Sequence, residues 1–265
     1  MTLIAYFGDA ALKADLIEEI RSHREHDQIV KGHYGRMNSR WTGCAIGCSI
    51  RSLNLRRGLD LPTNDHRIYE THLGIPQVVA QLEDAIFEGL PDDRYLHWPE
   101  QVAAAIRPGA DLSSVWPKFA LWLFTDSRLL FITDINQAAI KEVADLYAQW
   151  VAGKEPSAEA WRAADVAAAA AADAAAVAAA AAIADVAAAW RNVAAAWCTA
   201  TAAAAQRAAD VAAAADVVAV AAAAAIADVA AATAAAAVAD VARQSARTKA
   251  WSAMADKLLF LLRAA

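Results

Sequence analysis

Between Ala163 and Ala242, 50 of 80 positions are alanine, no glycine follows Gly153 and no proline follows Pro156. Alanine is the best helix former, and nothing in the stretch breaks a helix. The fold class expected of the chain is therefore all-α. The same stretch says little about chemistry, because methyl groups supply no nucleophile, acid or ligand. One unbroken helix from Ser157 to Arg263 would be about 160 Å long and would leave its valines, isoleucines and tryptophans unpaired. The reading is instead a tail (154–265) folded back as hairpins or a bundle. Turns are expected near Asn192, at 198–201 and at Gln244-Ser245. Ile183, Val186, Trp190, Val193 and Trp197 follow the 3-4 spacing of a bundle seam. AIADVAAA recurs at 182–189 and 225–232, a loose repetition without a clean 30–45-residue unit.

The first 153 residues read as a separate helical domain. Asp9 caps a helix with Leu12, Leu16, Ile17 and Ile20 on one face. Pro76 opens a second, carrying Val78, Val79, Leu82, Ile86 and Phe87 and stopped by Gly89 and Pro91. Pro99 opens a third, closed by Pro108-Gly109. Asp111 and Pro117 open a fourth around Trp116, Phe119, Leu123 and Phe124. A fifth runs from Asn136 to Trp150. Gly153 to Pro156 is a linker, and Ser157 caps the first helix of the tail. Residues 31–60 lack helical periodicity and are rich in Gly, Ser, Asn and Arg. They read as a structured loop with a short hairpin. The segment from Trp251 to Arg263 regains ordinary composition and is expected to dock on the N-terminal core.

Composition narrows the class. The net charge is −6 and the hydrophobic fraction 58%, which alanine inflates. No 20-residue window has the Leu, Ile, Phe and Val of a membrane span. The N-terminus lacks the basic and apolar regions of a secretory signal. Cys44, Cys48 and Cys198 are too few for a disulfide scaffold, so a reduced, cytoplasmic setting is expected. Charge is unevenly placed. The alanine block holds seven aspartates against Arg191 and Arg207, whereas 28–58 holds Lys31, Arg36, Arg40, Arg51, Arg56 and Arg57 and no acid. Such a window is either a solvated face or an anion site.

The string Gly43-Cys44-Ala45-Ile46-Gly47-Cys48 sits in that window. Three uses are open to it. With His33 and one of His23, His26 or His66, the two thiols make an incomplete zinc-like set. Alone, they form a CxxxC redox pair. As small buried groups beside glycines, they permit close backbone approach. A fourth use joins the string to its neighbours. Gly43 and Gly47 supply backbone N–H donors, Arg36, Arg40 and Arg51 meet phosphate charge, and Trp41 offers a stacking face. Neither GxxxxGK[ST] nor GxGxxG is present, and there is no Ser-His-Asp order or HExxH. No catalytic residue, metal or cofactor is assigned. An anionic nucleotide or a host protein is the expected partner, ahead of nucleic acid, and the alanine tail offers a surface for self-association.

Four strings occur together: WTGCAIGCSIRS (41–52), LGIPQVVAQLEDAIFEGLP (73–91), PGADLS (108–113) and MADKLLFLLRAA (254–265). In these the chain resembles an uncharacterised family of phage and prophage proteins with an alanine-rich tail. The resemblance implies a setting, namely accessory genes acting in a host cytoplasm, and carries no site residues. It points to a non-enzymatic protein that binds a host component, with counter-defence by capture of a nucleotide immune signal as one form. The competing expectations are a metal- or thiol-dependent enzyme at Cys44 and Cys48, and a scaffolding protein that uses the tail.

Overall fold

The structure is a computed structural model, and it describes residues 3–126, 137–167 and 239–265. It is mostly helical, with one small two-stranded sheet. The helices are α1 (Ala10–Glu25), α2 (Ala45–Arg57), α3 (Gln77–Gly89), α4 (Asp92–Tyr95), α5 (Trp98–Ala105), α6 (Val115–Thr125), α7 (Gln137–Val151), α8 (158–167) and α9 (Ala239–Ala264). The strands β1 (Arg36–Met37) and β2 (Trp41–Thr42) form an antiparallel ribbon between α1 and α2. Among the described residues, no helix is long and apolar enough to cross a membrane.

The chain forms two compact units. The first joins residues 1–115 to 251–265, and the second spans 116–250. The division expected at Gly153 falls inside the second unit.

In the first unit, α1 begins where Asp9 Oδ1 accepts the Ala11 and Leu12 N–H groups, at 2.8 and 3.1 Å. Its Leu12, Leu16 and Ile20 are buried. Just upstream, Tyr6 and Phe7 both take a left-handed backbone at φ 53°, an uncommon state for aromatic residues. Burial of Tyr6 and its hydroxyl bond to the Ala103 carbonyl (3.0 Å) hold that turn. Helix α3 starts after Pro76 and buries Val78, Val79, Leu82, Ile86 and Phe87.

Helix α2 corrects the reading of 31–60 as loop. The hairpin is present, but residues 45–57 are helical and touch α1, α3 and α5. Every residue from Ala45 to Ile50 is buried, as are Ser52 and Leu53. A helix covered on almost every side has no polar stripe, so no 3.6-residue pattern marks it. Small residues — glycine, cysteine, serine, alanine — let its neighbours close in.

The C-terminal half of α9 belongs to this unit. Met254, Ala255, Leu258 and Leu262 are buried in it. Arg94 pairs with Asp256 at 2.6 Å, and Arg107 donates to the Ala265 carbonyl at 2.8 Å. Trp251 lies flat on Gly89, where a Cβ would fall 2.1 Å from the indole. No turn occurs at Gln244-Ser245, because α9 continues through both. The absence of Gly and Pro outweighs two polar residues of ordinary helix propensity.

The second unit is built on aromatic packing. Tyr147 of α7 meets Trp116 edge-on at 5.7 Å, stacks with Phe124 at 5.9 Å and touches Trp161 of α8 at 4.8 Å. Helix α8 is capped by Ser157, whose Oγ accepts the Ala160 N–H at 3.1 Å. The turns expected near Asn192 and at 198–201, and the seam from Ile183 to Trp197, lie outside the described residues.

Replacing Gly89 by alanine should force the Trp251 indole off α3. Urea unfolding should show a loss of about 1–3 kcal/mol, typical of overpacking in a tight core. An unchanged midpoint would mean that Trp251 does not seat the C-terminal helix there.

Candidate functional site

The ribbon is the irregular part of the first unit, and its anchoring begins at the end of α1. Asp27 turns the chain with φ 50°. Gln28 N–H then donates to the His23 carbonyl, and Gly43 N–H donates to the Gln28 carbonyl, both at 2.9 Å. Val30 N–H returns to the Gly43 carbonyl at 2.9 Å, which makes a parallel bridge beside Ile29. Within the ribbon, Arg36 lies opposite Thr42 and Met37 opposite Trp41.

Directly opposed residues share a face, and successive residues alternate. Trp41 therefore lies on the Met37 face, where its ring covers Gly35 and Gly43 and sits 5.3 Å from the His23 ring. Arg36 projects with Thr42 from the other face. Arg40, at the turn, is 3.9 Å from Asp27, and both side chains are largely exposed. Arg51 stands one helical turn beyond Gly47 on α2, and its charge acts on His23. The fold thus brings Trp41 and Arg51 to His23, leaves Arg40 at the turn beside Asp27 and sets Arg36 on the face opposite Trp41. Neither Arg36 nor Arg51 forms an ion pair among the described residues.

The two glycines serve a different end from open backbone donors. A Cβ at Gly47 would lie 1.5 Å from the Tyr34 carbonyl oxygen, and one at Gly43 would lie 2.6 Å from it. They form a notch that admits the Tyr34 backbone against the first turn of α2. The Gly43 N–H is bonded to Gln28, and the Gly47 and Ile46 N–H groups turn to the Cys44 sulfur. This corrects the expectation of a backbone anion nest, since the donors are engaged inside the fold.

Helix α3 clamps the ribbon from below with two acids one turn apart. Asp84 lies beside the Tyr34 hydroxyl and the Cys44 thiol and, after burial, its charge raises both, while its Oδ1 is buried without a hydrogen-bond partner among the described residues. His66 Nε2 lies 3.1 Å from its Oδ2. Glu88 accepts the Gly32 N–H at 3.0 Å. Lys31 adds a bond to the Leu90 carbonyl and sits over the Tyr95 ring at 4.7 Å. Sequence reasoning passed over Asp84 and Glu88. The available signal was their i, i+4 spacing on α3, beside a segment with cations and no acid.

The thiols are donors rather than nucleophiles. Burial, then the Asp84 carboxylate, push Cys44 well above the ordinary thiol range, although the Gly47 and Ile46 N–H groups oppose the shift. Burial, then Cys44, raise Cys48 as well, and its Sγ is 3.4 Å from the Gly43 carbonyl. A thiol held protonated is a poor nucleophile. Among the described residues, no group of three or more His, Cys, Asp and Glu side chains is placed to hold a metal ion.

Beneath the clamp, Glu83 faces the core at 2% exposure. It accepts the Tyr69 hydroxyl, and Tyr69 in turn accepts the Ser49 hydroxyl. Burial raises the Glu83 carboxyl from 4.5 to about 8, against the Tyr69 bond. The folded state therefore keeps a proton that the unfolded chain has already released. Stability should fall as pH rises from about 4.5 to 8, by at most ~1.4 kcal/mol per pH unit. Glu83→Gln should flatten that slope in urea unfolding across this window. Equal slopes in variant and parent would place the carboxyl outside the dry core.

No protein-family profile, curated protein or solved structure matches this chain.

Proposed function

We propose that this is a non-enzymatic phage or prophage accessory protein that binds an anionic component of the host cytoplasm. In this reading the ribbon end of the first unit is the binding face. Arg40 and Arg51 meet the ligand's charge, Trp41 stacks on its ring, and Arg36 adds charge from the other face. A nucleotide signal of host immunity has this chemistry, which makes counter-defence by sequestration the specific form proposed.

The observation that carries the reading is the state of the arginines. Arg36 and Arg51 have no carboxylate partner among the described residues, and Arg40 has only a long, exposed contact with Asp27. Arg56, in the same window, is neutralised by Glu18 and Glu19 at 2.6 Å each. Arg36 on the ribbon and Arg51 on α2, free of carboxylate partners, can take a phosphate instead. Burial of Cys44 and Cys48, which pushes both thiols up, favours binding over thiol chemistry.

Calorimetry of the full chain against cyclic and ADP-ribose-type nucleotides is the test. A charged hydrogen bond contributes roughly 1.5–3 kcal/mol, so Arg51→Gln or Arg40→Gln should weaken binding roughly 10- to 150-fold. Arg56→Gln should leave it unchanged, and binding should weaken with added salt. If no nucleotide binds, or if all three variants bind like the parent, anion capture at the ribbon is wrong and a protein partner becomes the reading to pursue.

A further inference from the structure

The last turn of α1 buries an imidazole directly under the ribbon. His23 is 4% exposed, and its Nδ1 lies 2.5 Å from Gln28 Oε1. An amide oxygen only accepts, so Nδ1 carries the ring proton and Nε2 is a bare acceptor. Nε2 is buried and has no partner. A bare lone pair tolerates such a place far better than a cationic N–H would. The latter would bury a charge and an unmet donor together.

Three ribbon contacts converge on the same residue. Gln28 takes the ring proton with its side chain and donates its N–H to the His23 carbonyl, while its own carbonyl accepts the Gly43 N–H. The Trp41 ring lies against the imidazole at 5.3 Å. Gln28 and Trp41 touch the ring itself, and Gly43 is tied to it through the Gln28 backbone, so opening of the site around a charged ring would free all three.

We infer that His23 is an acid-sensitive latch: neutral, it holds the ribbon closed on α1, and a proton on Nε2 releases Gln28, Gly43 and Trp41 together. The charged groups facing it are Glu19 of α1, His26 just past its end, and Arg51 from α2. The Gln28 hydrogen bond and then Glu19 favour the imidazolium, and Arg51 and His26 oppose it. On neighbouring α5, Glu100 is engaged by Arg21 and Arg24, and His97 lies beside Arg24. Burial is the largest influence and makes His23 harder to protonate than a free histidine. In the opened ribbon the ring would titrate normally, near 6.5. Opening is therefore disfavoured above that pH and gains up to tenfold per unit as pH falls below it. The consequence for ligand capture, loss of the Trp41 face in acid, rests on the function proposed above; the latch itself does not.

Amide hydrogen exchange on the full, ligand-free chain tests the latch, with rates corrected for the intrinsic effect of pH. Between about pH 7 and pH 5, the Val30 and Gly43 amides should lose protection by roughly tenfold or more, while Ile50 and Leu53 of α2 keep theirs. In His23→Phe, which retains a ring against Trp41 but cannot titrate, ribbon protection should not vary with pH. If that variant does not fold, NMR titration of the parent decides, with the His23 ring expected to titrate below 6.5 and the Trp41 indole shifting at the same midpoint. Unchanged protection in acid, the same loss in His23→Phe, or a His23 midpoint at or above 6.5 would overturn the latch. Inorganic triphosphate, titrated at the same pH values, separates the two claims. Failure to bind at neutral pH counts against anion capture and not against the exchange result.

Discussion

The Tyr34 carbonyl packed into the Gly43–Gly47 notch is the contact on which the rest of the first unit depends. It brings an irregular chain segment to within Cα–H distance of a buried helix, and that is what makes α2 a core element. Once Tyr34 is seated, its hydroxyl reaches Asp84, the ribbon closes over His23, and Cys44 starts α2 with its thiol turned to the same carboxylate. The notch needs hydrogen at both α-carbons. No side chain, however small, fits at Gly47.

Three acids of α3 divide the work by direction. Glu83 points into the core and stays protonated through much of the neutral range. Asp84 and Glu88, one turn apart, face the other way: Asp84 sits beside Tyr34 and Cys44 with the His66 imidazole 3.1 Å from its Oδ2, and Glu88 accepts the Gly32 N–H. The acid-free basic window is thus flanked by acids of a neighbouring helix, while Arg36 and Arg51 form no ion pair among the described residues.

Local signals in the sequence were legible where one residue decides the outcome. Asp9 and Ser157 cap the helices they were expected to cap, Pro76 opens α3, and the buried positions of α1 and α3 follow their 3.6-residue spacing. The docking of Trp251 to Leu262 was legible as a return to ordinary apolar composition. Helix α2 was not, because burial on all sides erases the periodicity by which helices are recognised. The clamp was not legible either. Asp84 and Glu88 look like the solvated edge of an amphipathic helix until the ribbon is laid across them. The face carrying Trp41 and the face carrying Arg36 are separated by strand register, which residue types alone do not set.

Gly47→Ala measures the central contact most directly, because two effects predict opposite signs. Helix propensity alone favours alanine inside α2 by about 1 kcal/mol. The notch predicts the reverse, since the new methyl would stand 1.5 Å from the Tyr34 carbonyl oxygen and must displace backbone. Urea unfolding should show a net loss of at least ~1–3 kcal/mol, with the Val30 and Gly43 amides losing protection before those of α1. A gain in stability with the ribbon amides unchanged would contradict the account, and would mean that Tyr34 does not seat against α2.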